Sequence, residues 1–191
     1  MINIVLFGPP GSGKGTQAAK MAEKYDLLHI STGDIFRSAI KNETALGLKA
    51  ISFIEKGNLV PDEITIGLMN EVIENNAEAN GIIFDGYPRS VLQAESLDEI
   101  LNSRKTPIGK MIQLDVSEEE LISRLLNRGK DSGRADDQDT KIIKNRISVY
   151  NETTLPVANF YDEQRKLAHL KGEGTIEEIF NRICTVLDEI V

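Results

Sequence analysis

Apolar residues fall in five short runs with polar or glycine residues at their carboxyl ends: residues 2–7 (INIVLF), 27–30 (LLHI), 81–86 (GIIFDG), 110–116 (KMIQLDV) and 166–172 (KLAHLKG). The first of them, Ile2 to Phe7, is apolar almost throughout, as expected of a strand buried on both faces of a parallel sheet. Between the runs the apolar positions recur at helical spacing. One helix is predicted from about Lys14 to Tyr25, and two short ones fill about 35–56, separated near Asn42. A longer one opens at Pro61 and Asp62 in VPDEITIGLMNEVIENN, where proline and an acid favour a helix start. Residues 117–120 (SEEE) and 175–178 (TIEE) both match the capping box, with glutamate at the third helical position.

Strands alternating with helices predict a doubly wound α/β fold with a five-stranded parallel sheet. Sheets of this kind bind ligands beyond the carboxyl ends of their strands, where the polar motifs fall. Repeats and low-complexity tracts are absent from the sequence. One glycine- and charge-rich interruption, residues 127–139 (NRGKDSGRADDQD), reads as a mobile flap.

Composition narrows the function. The 191 residues, 40% hydrophobic and 27% charged, suit one soluble domain. The apolar start leads directly into a glycine loop with no basic region ahead of it, so it reads as a first strand and not a signal peptide. A net charge of −8 argues against a general nucleic-acid binder, and no apolar run is long enough to span a membrane. The single cysteine, Cys184, allows no internal disulfide and no cysteine-rich zinc site, which fits a cytoplasmic protein. His29 and His169 are isolated and do not make a metal site. An acidic protein that handles phosphate must gather its positive charge locally, which gives weight to the places of its nine arginines.

Residues 8–17 (GPPGSGKGTQ) follow the first strand and open a helix. They carry the spacing of a phosphate-binding loop, in which backbone N–H groups of Gly11, Ser12, Gly13, Lys14, Gly15 and Thr16 surround an anion and Lys14 bridges the terminal phosphates. Gly15 stands where such loops usually place the hydroxyl that ligates Mg²⁺, and Thr16 comes one residue later. Magnesium binds readily through phosphate oxygens and water with few protein carboxylates. Asp85, at the end of its strand, is placed to hold such water, with Asp34 as the second candidate.

Together with this loop, STGDIFR, KGNLVPDE, IIFDGYPRSVLQ and RGKDSGRADD resemble the adenylate kinase family in order and spacing over nearly the whole chain. The resemblance implies a P-loop NTPase-type core (residues 1–30, 61–126 and 138–191) with two small insertions: an NMP-binding segment at 31–60 and a LID at 127–137. It implies that Arg37 and Arg89 grip the AMP phosphate, that Arg128 contacts ATP, and that Arg134 and Arg146 reach the transferring phosphates. Gly174 would touch the ATP adenine through its carbonyl. Thr32, Asn58, Leu59, Val60, Gly86, Tyr87, Pro88 and Gln93 would bind AMP, Gln93 meeting the base through its carboxamide. Guanidinium forks suit bidentate phosphate recognition. The catalytic set is then Lys14, Arg89, Arg128, Arg134 and Arg146.

The implied reaction is reversible transfer from magnesium-ATP to AMP, giving two ADP, in a monomer whose partners are ATP, AMP and ADP. Zinc is not expected, because the flap is short and lacks cysteines. The alternatives are a UMP/CMP kinase on the same fold, against which Thr32 and Gln93 argue, and a non-catalytic nucleotide sensor, against which Lys14 and the arginines argue. The guanine-reading and switch motifs of a GTPase are missing.

Overall fold

The computed structural model describes residues 2–190. The assignment of Met1 and Val191 to the core lies outside those residues. Five strands form one parallel sheet in the order β2-β3-β1-β4-β5. They are β1 (Asn3–Phe7), β2 (Leu28–Ser31), β3 (Ile82–Asp85), β4 (Ile108–Asp115) and β5 (Leu167–Lys171). The central strand β1 is buried along its whole length. Its two-residue period sends Val5 and Phe7 into one core cluster and Ile4 and Leu6 into the other. Fully burying an aliphatic or aromatic side chain of this kind contributes about 1.5–3 kcal/mol, so β1 anchors both layers.

The helices that cover the sheet are α1 (Lys14–Tyr25) and α9 (Ile176–Leu187) on one face, and α4 (Asp62–Asn75), α5 (Val91–Ser103) and α8 (Pro156–Glu163) on the other. Between β2 and α4 lie α2 (Thr32–Lys41) and α3 (Ala45–Ile54), joined over their own small apolar cluster of Phe36, Ala50 and Val60. Between β4 and α8 run α6 (Glu118–Ser132), a single 3₁₀ turn (Ala135–Asp137), α7 (Thr140–Val149) and a π turn (Tyr150–Thr154). Leu121, Leu125, Ile143 and Ile147 pack α6 on α7 in another separate cluster.

Local chemistry adds detail to one sequence expectation and departs from another. Residues 127–132 of the predicted flap are helical, because α6 runs on to Ser132 and stops only where Gly133 adopts φ 66°. The capping box forms at Thr175 but not at Ser117, whose side chain makes no cap bond. There the Ser117 N–H donates to Glu173 Oε1 at 3.0 Å, and Glu120 accepts from Arg124 Nε at 2.8 Å. A residue distant in the chain has taken the Ser117 N–H, and Arg124, one turn along the same helix, has taken the Glu120 carboxylate.

Candidate active site

The site begins where β1 ends. Gly11 (φ 88°) and Gly13 (φ 91°) turn the chain through the left-handed region, which side-chain-bearing residues rarely occupy. Gly13 is the N-cap of α1 and has no side chain to close the helix end, and the first turn has no acid. By contrast, α2, α3, α5 and α9 are capped by Ser31, Thr44, Ser90 and Thr175. The first N–H groups of α1 and its positive dipole end are thus left for an anion. Lys14 Nζ folds over the same loop and donates to the carbonyls of Gly8 (2.7 Å) and Pro9 (2.9 Å) and to Ser12 Oγ (3.3 Å). Burial lowers its pKa to about 8; Asp85 opposes this and Arg89, Arg128 and Arg146 add to it.

This loop forms one wall of a cavity of about 660 Å³ between the carboxyl ends of the strands and the segments carrying α2, α3, α6 and α7. Lys14 and six arginines line it, against Asp34, Asp85 and Asp136. In a chain of net charge −8 this is a strong local concentration of cation, which focuses the field on an anionic ligand.

Each arginine is held by a named partner. Arg89 Nε donates to the Gly86 carbonyl at 2.6 Å, and burial lowers its pKa to about 10. Arg128 makes a two-pronged bond to Asp137, 2.6 Å from Nε and 3.0 Å from Nη2. Arg146 Nη1 reaches Asp137 Oδ1 at 2.5 Å and Asp136 Oδ2 at 2.9 Å. Burial works to raise the Asp137 pKa, but Arg128 and Arg146 outweigh it and hold the carboxyl below its usual range. Asp34 joins Arg37 on its own helix to Arg134 beyond α6, 3.6 Å away. Carboxylates therefore hold Arg37, Arg128, Arg134 and Arg146, whereas a backbone carbonyl holds Arg89.

At the other end of the cavity lie Thr32, Asn58, Leu59, Val60 and Gln93, with Gly86, Tyr87 and Pro88 along the floor. Thr32 Oγ donates to the Gly86 carbonyl at 2.7 Å. Gln93 is buried. Asn145 on α7 donates to the Lys56 carbonyl and to Asn58 Oδ1 at 2.9 and 3.0 Å, which fastens the 31–60 segment against α7.

Comparison with known proteins gives the family of the chain. The adenylate kinase family model matches residues 6–166. Three curated bacterial proteins named adenylate kinase align over 190 residues, the full length of both chains in each case. They are from Flavobacterium psychrophilum (49% identical), Bacteroides fragilis strain ATCC 25285 (48%) and Parabacteroides distasonis (49%). The chain belongs to the adenylate kinase family.

Most of the residues matched to the family's motifs converge on the one cavity; two do not line it. Ser12 is fully buried beneath its own loop, and Gly174 sits in the turn between β5 and α9 with φ 116°. That turn is held toward the site by Arg124, whose Nη1 donates to the Gly172 carbonyl at 3.1 Å. Arg124 itself lines the cavity and was not singled out from sequence; its place one helical turn before Arg128 was the available signal. His29 was likewise missed: its Nε2 lies 3.3 Å from Asp85 Oδ2, across two adjacent strands. The donor set suits a metal carried by the nucleotide. Asp85 is a nearly buried carboxylate with Oδ2 close to Gly15 in the first turn of α1, beside the anion cradle. One carboxylate together with phosphate oxygens and water is a sufficient environment for Mg²⁺.

Proposed function

We infer that the cavity carries out adenylate kinase chemistry: the γ-phosphoryl group of magnesium-ATP passes to the phosphate of AMP, and two ADP result. The observation that carries this reading is the ring of arginines closing on Lys14 and the bare α1 N-terminus. The ATP phosphates would lie in the 8–16 loop, with the hydrated magnesium toward Asp85. The AMP phosphate would meet Arg37 and Arg89, and its base would lie among Thr32, Val60 and Gln93. Arg128, Arg134 and Arg146 would exchange their aspartates for phosphate oxygens.

In the transfer, the bond from the γ-phosphorus to the β,γ-bridging oxygen breaks and a bond to an AMP phosphate oxygen forms. The acceptor needs no general base, because a phosphate monoester with a second pKa near 6 is already largely a dianion at neutral pH. What the protein supplies is in-line positioning and neutralisation of charge that develops on the moving phosphoryl group. Bound magnesium adds charge compensation on the ATP phosphates. Water competes as an acceptor, so closure of the 31–60 and 127–137 segments belongs to the chemistry.

The same reading makes the protein a cytoplasmic monomer whose partners are small nucleotides. The single cysteine fits a reducing compartment, and the acidic charge argues against nucleic acid as a partner. No helix among the described residues is long and apolar enough to cross a membrane. A coupled assay with a panel of nucleoside monophosphates tests the function. AMP is expected to be the preferred acceptor, and Lys14→Met or Arg89→Ala to lower turnover by orders of magnitude in a folded protein. Wild-type turnover in either variant, or a preferred pyrimidine acceptor, would refute the assignment.

A further inference from the structure

The base end of the cavity contains a network that phosphoryl transfer does not use. Gln93 is 1% exposed, and both ends of its carboxamide are engaged. Oε1 accepts the Arg89 backbone N–H at 2.7 Å, and Nε2 donates to Asp62 Oδ1 at 2.7 Å. Asp62, the first residue of α4, accepts the Ser90 hydroxyl on its other oxygen at 2.9 Å. Ser90 Oγ in turn caps α5 by accepting the Gln93 N–H at 3.2 Å. Asp62 does not line the cavity, so it acts on a ligand only through Gln93.

A carboxamide has two ends of nearly equal shape and opposite hydrogen-bonding character. Adenine presents an amino N–H beside a ring acceptor, whereas guanine presents a carbonyl oxygen beside a ring N–H. A freely turning glutamine would meet adenine in one orientation and guanine in the other with the same number of bonds. Here the Arg89 N–H can only donate and the Asp62 carboxylate can only accept. Turning the amide over would set N–H against N–H and oxygen against carboxylate, leaving buried polar groups opposed. In the observed orientation each end retains one further bonding position: a lone pair on Oε1 and an N–H on Nε2. That pair complements adenine.

We propose that Asp62 is a specificity-determining positioning residue, which fixes the Gln93 amide in the orientation that accepts adenine and rejects guanine. This rests on the reading of Gln93 as the residue that meets the acceptor base. The test is the ratio of kcat/KM for AMP to that for GMP in Asp62→Ala, Asp62→Asn and Gln93→Leu, with the melting temperature of each confirming a folded protein. Asp62→Ala is expected to lower the ratio roughly tenfold, the scale of one hydrogen bond to a charged group. Asp62→Asn, whose own amide can turn over together with Gln93, should lower it severalfold. In both, saturating AMP turnover should stay near wild type, since a merely structural defect would depress both acceptors and leave the ratio unmoved. An unchanged ratio in either folded Asp62 variant overturns the proposal. If Gln93→Leu also leaves the ratio unchanged, the base-site reading itself has failed; if Gln93→Leu collapses it alone, only the role of Asp62 has.

Discussion

Asp137→Asn removes one negative charge from a point with no solvent exposure while keeping the shape of the side chain. That carboxylate receives two N–H groups from Arg128 and one from Arg146. Hydrogen bonds to a charged group typically contribute about 1.5–3 kcal/mol each, but three full contributions would overstate the loss. The Arg128 side chain is 37% exposed and its pairing is screened by water. Arg146 also retains Asp136 at 2.9 Å. A net destabilisation of about 2 kcal/mol remains, which for a chain of this size lowers the melting temperature by about 4–8 °C. Scanning calorimetry at neutral pH measures this directly. A second arm uses acid. Because Asp137 titrates below its usual range when folded, its contribution is present above the unfolded carboxylate pKa and is lost as pH falls through the lower folded value. The wild type should therefore lose more stability than the variant across that acidic window. A melting temperature within one degree of wild type, as the order of experimental error in such scans, with parallel acid profiles would refute the idea that Asp137 anchors both arginines.

Other expectations follow from the same geometry. Lys14, with its pKa lowered to about 8 by burial, is about half protonated at pH 8 in the free enzyme, and a bound polyphosphate restores the ammonium. Binding of magnesium-ADP at pH 8 should therefore take up about half a proton, seen as a dependence of calorimetric heat on buffer ionisation enthalpy; no buffer dependence would contradict it. In stability terms the unfolded chain binds more protons between pH 8 and 10.5, so this group makes the protein more stable as pH rises through that window. Gly129→Ala would place a methyl group 2.6 Å from the Asp137 carbonyl oxygen, an overlap with backbone that should cost about 1–3 kcal/mol despite the better helix propensity of alanine. Gly67→Ala, in α4 with nothing within 4 Å, should instead stabilise by up to about 1 kcal/mol; equal melting shifts in the two variants would show that the contact at Gly129 is not real.

Much of the molecule can be read from residue order alone. Apolar runs of strand length separated by helical periodicity specify the layers, because the side-chain period of each element is local. The phosphate loop is equally legible, since its function depends on backbone conformation that glycines grant at fixed spacing. The arginines could be named one by one, but not their partners. That Asp137 gathers Arg128 and Arg146, or that Asp34 joins Arg37 to Arg134, depends on α6 folding back over α7 and on α2 facing the 3₁₀ turn. The box at Ser117 illustrates the same limit in part: its local pattern is complete, yet Glu173 arrives from the turn after β5 to take the Ser117 N–H, while Arg124 on the same helix holds Glu120. His29 reads as an isolated histidine until strand pairing sets β2 beside β3 and brings its ring to Asp85. Short-range chemistry thus determined which elements form and where a polyphosphate can sit. Only the packing of those elements decided which charges meet there and which way the Gln93 amide points, because both depend on neighbours distant in the chain.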